Sequence, residues 1–325
     1  MDIIIDKAQD GFSVLEYIKK NMSLSSAHLK HLKFSEGGIR VNGEHATVRR
    51  ILKCGDTLSL ATEDREAGRI EPYPLPLDIA YEDSECTVPS KPADMPTHPS
   101  HGHYDDTVAN ALAHRYRSLG VPFVFRPVNR LDRNTSGLLL IAKNRIAAGR
   151  LSRHMSEGRI NKAYIALLCG ELQNDEGYIE TYMRRTAESV IVRENCGEGE
   201  GGDYALTRYR VLARAEGHTA VAASPITGRT HQLRVHFAGL CAPILGDDMY
   251  GTPSSLIGRH ALHSAALLFP NADGNDIKVS SPLPEDMENA VKAIFGSRTN
   301  CGELLRLCEE FLLENGKNML KEGIK

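Results

Sequence analysis

"RPVNRLDRNTSGLLLIAKN", residues 126–144, sets one acid, Asp132, between Arg130 and Arg133, follows it with small polar residues and ends in an apolar run. Asp, Asn, Thr and Ser side chains bond nearby backbone amides and Gly accepts positive φ, so Asn134-Thr135-Ser136-Gly137 reads as a turn that Asp132 could cap. "GLLLIA" reads as a strand buried on both faces. Arg130 and Asp132, two apart at a strand end, then project to one side. A carboxylate above an apolar floor stays charged only if a cation pairs with it. A catalytic Asp132 therefore requires a positioned arginine elsewhere in the chain, whereas a turn cap does not.

"TGRTHQLRVHFAGLCAPILGDDMYG", residues 227–251, supplies that arginine. Its alternation reads as a turn at Thr227-Gly228 and then a strand, with Gln232, Arg234 and His236 on one face and Leu233 and Val235 on the other. Arg234 is then a bidentate partner for a carboxylate. Further strand patterns occur in "KAYIALLCG" (162–170), "YALTRYRVLA" (204–213) and "TAVAASPITG" (219–228), and helical ones in "TVANALAHRYRSLG" (107–120) and "RIAAGRLSRHM" (145–155). Strands dominate, which predicts an α+β domain over 77–284 built on a large, mainly antiparallel sheet. Residues 285–325 hold two amphipathic helices whose apolar stripe packs on that domain.

Residues 1–61 read as a separate small module. "SVLEYIKKN" and "SSAHLKHLKFSEG" have helical spacing with serines placed to cap them, "GIRVNGEHA" alternates around an Asn-Gly turn, and "GDTLSL" closes as a strand. Residues 12–60 carry eight Lys or Arg against four acids, within a chain of formal net charge −3. On charge alone this is a solvated surface or a nucleic-acid contact. Residues 62–76 bring mixed charge and then three prolines within five residues, which breaks helix and central strand alike and marks a linker.

Length and composition bound the rest. With 325 residues and 41% hydrophobic content the chain has room for two domains. It lacks an apolar stretch of about 20 residues, and its acidic opening is unlike a signal peptide, so a cytoplasmic protein is expected. Seven cysteines without a Cys-x-x-Cys pair suit reduced thiols. "GEGEGG" (197–202) matches a dinucleotide glycine pattern, but a strand rather than a helix follows it and Glu198 and Glu200 repel phosphate, so it reads as a hairpin loop. "HPSHGHYDD" (98–106) gathers metal-ligand types without a second cluster, and His231 and His236, on opposite faces of a strand, cannot share a metal. The phosphate-binding and serine-nucleophile motifs are absent.

Taken in order, "SKPADMPTHPS", "NRLDRNTSGLLLIAK", "NKAYIALLCG", "TGRTHQLRVHFAGLCAPILGDDMYG" and "RHALHSAALLF" resemble the successive motifs of the RluA/RluD family of pseudouridine synthases, over roughly residues 77–270. The N-terminal module is similar to the αL-type RNA-binding motif known from a small-subunit ribosomal protein. The resemblance implies the pseudouridine synthase fold, with a large mainly antiparallel mixed sheet, and isomerisation of uridine in RNA without a cofactor or metal. It places the family's essential aspartate on Asp132, acting through a covalent adduct or a glycal-type intermediate. Tyr164 falls on the tyrosine that stacks on the extruded base, and Arg234 on the arginine that pairs with the aspartate. Leu233 falls on an apolar residue near the base, and Arg130 on an arginine that fills the space a flipped base vacates. Lys30, Lys33 and Arg40 would face RNA.

Two positions depart from the family pattern. Asn129 stands where the motif begins with His, and a hydrogen bond donated by its amide would compensate. Asp94 stands where the commoner upstream motif has Gly. The expected substrate is large-subunit (23S) ribosomal RNA, with transfer RNA as the alternative, and the expected state is a monomer. A silent RNA-binding factor is favoured only by Asn129, and a glycoside hydrolase would need a second acid that no motif ties to Asp132.

Overall fold

The computed structural model describes residues 2–22, 29, 32–33, 37–61 and 70–322, with side chains to residue 315. Of the linker read at 62–76, residues 62–69 lie outside the described residues. The N-terminal unit starts with β1 (Asp2–Ile4) and α1 (Val14–Asn21), continues through β2 (Ile39–Val41) and β3 (Glu44–His45), and ends with β4 (Thr57–Leu60). Ser13 caps α1 in a full capping box: its hydroxyl accepts from Glu16 N, and the Glu16 carboxylate accepts from Ser13 N. Asn42 and Gly43 take φ of 51° and 84°, the left-handed pair that a two-residue hairpin turn needs. The four strands form one sheet in the order β1-β4-β2-β3. Val14, Leu32, Ile39, Leu52 and Leu58 form the core of this unit, and Ile146 of the larger domain joins the same cluster.

The larger domain opens with β5 (Asp78–Glu82), β6 (Cys86–Lys91), α2 (Val108–Ser118), β7 (Ser136–Leu138), β8 (Ile141–Ala142) and α3 (Arg145–Ser156). It continues with β9 (Asn161–Cys169), β10 (Glu176–Arg185), β11 (Arg193–Cys196), β12 (Asp203–Ala215), β13 (His218–Pro225) and α4 (Gln232–Gly239). Last come β14 (Leu262–Pro270), β15 (Asp276–Ser280), α5 (Glu285–Phe295) and α6 (Cys301–Glu322). Eleven strands form one sheet along β11-β10-β12-β13-β9-β14-β7-β6-β5, with β15 on β14 and β8 on β6. Its pairings are antiparallel apart from β7 with β14, so the α+β fold with a mainly antiparallel mixed sheet is the one found. Met287, Phe295, Leu304 and Phe311 of the two C-terminal helices share one apolar cluster with Ile165 and Val221 of the central strands.

Three local readings need correcting. Residues 231–236 are not a strand: His231, at φ 58°, opens the helix α4. Gln232 to Phe237 are all buried, so polar residues point inward as often as apolar ones and the alternation does not report a solvent face. The apolar run after Gly137 splits into β7 and β8, although every residue from Gly137 to Ala142 is buried. Residues 197–202 do not close a simple hairpin: β11 and β12 both pair with β10, and the loop crosses that strand with Gly202 against Tyr182 and Met183.

Candidate active site

Residues 130–135 form an irregular loop between the bridge at Pro127 and β7, so Arg130 and Asp132 do not sit on a strand end. The Asp132 carbonyl accepts from Thr135 N at 3.1 Å and closes the turn. Its carboxylate, by contrast, takes no amide of that turn among the described residues. Its polar neighbours are Arg234 Nη1 at 3.9 Å and His231 Nε2 at 4.0 Å.

Side chains from elsewhere fix the loop instead. Thr97 Oγ1 donates to the Leu131 carbonyl at 3.0 Å, Lys91 Nζ donates to the Arg133 carbonyl at 2.8 Å, and Arg259 Nη1 donates to the Asn134 carbonyl at 2.9 Å. The Asn129 side chain acts in the opposite sense to the one expected: its Oδ1 accepts from Leu140 N at 2.8 Å, while its buried Nδ2 has no partner. The amide of Leu140 has only a proton to offer, which fixes that orientation. Asp94 has φ 59°, a left-handed geometry that Asp tolerates better than most residues, and its carboxylate lies 3.2 Å from Arg133 Nε.

Arg234 has a nearer partner than Asp132. Its Nε and Nη2 donate to Asp247 Oδ2 and Oδ1, both at 2.7 Å, and Asp247 is completely buried. Asp247 Oδ1 also accepts from Met249 N and Tyr250 N, each at 3.1 Å. Burial works against the Arg234 charge, but the bonds to Asp247 outweigh it and hold the guanidinium above its ordinary pKa. Asp247 is shifted downward: burial opposes its charge, and Arg234 more than compensates. The guanidinium lies 5.0 Å from the centre of the Tyr250 ring, and the Tyr250 hydroxyl meets His231 Nδ1 at 2.9 Å. The bidentate clamp thus leaves Nη1 as the Arg234 group facing Asp132. Burial pushes the His231 pKa down, against the pull of the Asp132 charge.

Arg130, Asp132, Tyr164, Leu233 and Arg234 line one cavity of about 140 Å³. All five were named from the sequence and the fold brings them to one cavity, with Arg130 and Asp132 on a loop and Leu233 and Arg234 on a helix where strands were expected. Tyr164 stands on β9 between Ala223 of β13 and Ser264 of β14. Burial drives its phenol well above the usual range, and the Asp132 charge adds to this, so the hydroxyl is protonated at neutral pH. Leu233 is buried, whereas Arg130 is exposed at the rim. Asn129 lines an adjoining pocket.

The sequence reading missed Asp247, His231 and Tyr250. Their only signal was membership of the stretch that carries Arg234. His103 bonds Asp106 and Arg133, and among the described residues no group of three His, Cys, Asp or Glu is placed to hold a metal. Lys33 and Arg40 are exposed on the N-terminal unit, and Lys30 lies outside the described residues.

The chain is similar to known proteins. A family model described as RNA pseudouridylate synthase matches residues 86–239. The chain is 36% identical over 283 residues to the uncharacterized RNA pseudouridine synthase YjbO of Bacillus subtilis, covering 86% of this chain and 98% of that protein. It is 32% identical over 275 residues to ribosomal large subunit pseudouridine synthase D of Vibrio parahaemolyticus, covering 80% of this chain and 83% of the relative. The solved structure of human RNA pseudouridylate synthase domain containing 1 aligns with a TM-score of 0.55 at 30% identity, over 69% of this chain and 90% of that one. With such identity sustained across nearly the whole of a relative, the chain belongs to the RNA pseudouridine synthase family of isomerases.

Proposed function

We propose that this RNA pseudouridine synthase acts on large-subunit ribosomal RNA in the cytoplasm, with Asp132 as the residue that works on the sugar. The observation that carries the role of Asp132 is its carboxylate. Its own turn leaves it unused, and it opens into a cavity walled by Tyr164 and Leu233 and flanked by Arg234. In the reaction the bond from the ribose anomeric carbon to ring nitrogen 1 breaks, the uracil turns, carbon 5 bonds to the same sugar carbon and releases its proton, and nitrogen 1 ends carrying a proton, so that atoms and charge balance. A carboxylate beside the anomeric carbon attacks it or stabilises the positive charge that develops there. Tyr164 stacks on the base and, being protonated, can pass a proton but not begin as a base. Arg130, at the rim, is placed to occupy the gap left in the RNA when the uridine swings out.

Ribosomal RNA is supported by the relatives named ribosomal large subunit pseudouridine synthase D, which align over most of both chains. The N-terminal unit, with its own sheet and exposed Lys33 and Arg40, fits a module that grips RNA outside the catalytic cavity. A cytoplasmic setting agrees with seven free thiols, and no described helix is long and apolar enough to cross a membrane. The test is tritium release from RNA labelled at carbon 5 of uridine, with ribosomal and transfer RNA as separate substrates. Release from the large-subunit RNA is the expected result. Release from transfer RNA alone would contradict the substrate.

A further inference from the structure

The cavity that holds Asp132 continues into a second one. Arg130, Lys162 and Gly228 line both, and the second, about 470 Å³, runs on past Asn129, Ser156 and Tyr204. Two cations, Arg130 and Lys162, lie in its wall and no Asp or Glu does. Arg130 forms no ion pair among the described residues.

Lys162 is the more unusual of the two. It is only 8% exposed, yet among the described residues its ammonium group has neither a carboxylate within 4.0 Å nor a hydrogen bond. The other buried lysine, Lys91, shows what satisfaction looks like here: its Nζ donates to the carbonyls of Pro92 and Arg133 at 2.7 and 2.8 Å. Lys162 sits two residues before Tyr164 on β9, so strand geometry sends both side chains to the cavity side of the sheet. Lysine is seldom this buried without a partner, and no described contact of the fold satisfies the ammonium group, which is left to the two pockets that the side chain lines. Burial draws its pKa down to about 8, which leaves most of it charged at neutral pH.

We propose that Lys162 is a substrate-binding residue whose ammonium group takes a backbone phosphate next to the target uridine, in the second pocket, while the uridine itself enters the Asp132 cavity. This rests on the reading of that cavity as the uridine site. A phosphate is the one RNA group with a full negative charge, and a pocket wall with two cations and no acid selects it over the neutral edge of a base.

The test uses the full chain with Lys162→Met and Lys162→Arg, and measures RNA affinity across a salt series, steady-state kinetics and melting temperature. Lys162→Met should weaken RNA binding roughly tenfold, as loss of one charge-assisted contact does. It should lower the slope of log K against log salt by about 0.7 to 0.9, one phosphate's share. The loss should fall on KM rather than kcat, and Lys162→Arg should recover both affinity and slope. Melting should not drop in the Met variant, since Met keeps the apolar stem and no described bond of the fold is lost. Native affinity and slope in Lys162→Met would overturn the proposal. So would a loss of affinity without change in slope, which marks a base contact, or a lowered melting temperature, which marks a structural role. Asp132→Asn, measured alongside, reports separately on the uridine site. If that variant still releases tritium, the reading of the cavity fails while the salt slope continues to report on the phosphate.

Discussion

Replacing Asp247 by Asn is expected to disable the enzyme without loosening its hold on RNA. Asp247 is fully buried and accepts both arms of the Arg234 fork at 2.7 Å. Asn keeps one acceptor but turns an NH2 group towards an arginine N–H, so one of the two bonds becomes a donor facing a donor. Breaking a buried ion pair by removing one partner costs about 3 to 5 kcal/mol, and Asn, retaining one bond, should fall at the lower end. The remaining carboxylates near the guanidinium are Asp132, at 3.9 Å, and the exposed Asp248, at 3.8 Å. Arg234 released from its clamp moves towards Asp132 and bonds it directly, which ties up the carboxylate and shifts it from the sugar. A displacement of about 1 Å at a reacting group costs on the order of a hundredfold in rate. The assay is tritium release for kcat, RNA titration for affinity and urea unfolding for stability. The expected result is a folded variant about 3 kcal/mol less stable, with kcat down roughly a hundredfold and affinity near native. Native kcat in a variant destabilised by that amount would refute the positioning role of Asp247.

Two other outcomes follow from packing and burial. Gly137 has φ 104°, and a Cβ there would lie 2.3 Å from the Ser264 carbonyl oxygen across the β7–β14 pair. Gly137→Ala should therefore cost about 2 to 4 kcal/mol from combined strain and overpacking, and urea unfolding with less than about 1 kcal/mol of change would contradict this. His236 and His263 are held at about 4 by burial, below the ordinary value of 6.5. The folded state thus binds fewer protons than the unfolded one between those values, so their contribution is complete above about pH 6.5 and is lost as pH falls towards 4. From pH 7 to pH 5 the unfolding free energy should drop by up to about 2 kcal/mol for each, and a flat profile over that range would be the contrary result.

The parts of the fold that were legible are those where one face differs from the other. α3 could be read because its buried Ile146, Ala147 and Leu151 recur at helical spacing, and the Asn42-Gly43 turn because few residue pairs accept its geometry. α4 could not, since Gln232 to Phe237 are buried on every side and Gln232, Arg234 and His236 find partners inside. The same limit hid the clamp on Arg234. Asp247 and Asp248 are identical neighbours in sequence, one sealed in the core and the other with its side chain 77% exposed. Local pattern carries nothing that separates them. Asp132 itself was legible as a residue of a turn, and its freedom from that turn was not, because the bonds that make it free come from Thr97, Lys91 and Arg259, each more than thirty positions away.

The central claim is that Asp132 acts on the ribose of a uridine in the cavity it shares with Tyr164 and Arg234. Its most direct test is a comparison of the native chain with Asp132→Asn in tritium release from large-subunit RNA labelled at carbon 5 of uridine, with RNA affinity measured in parallel. Asn is nearly the same size and keeps the backbone turn to Thr135, so the account predicts native RNA affinity and no release above background. Release at the native rate by Asp132→Asn would contradict it.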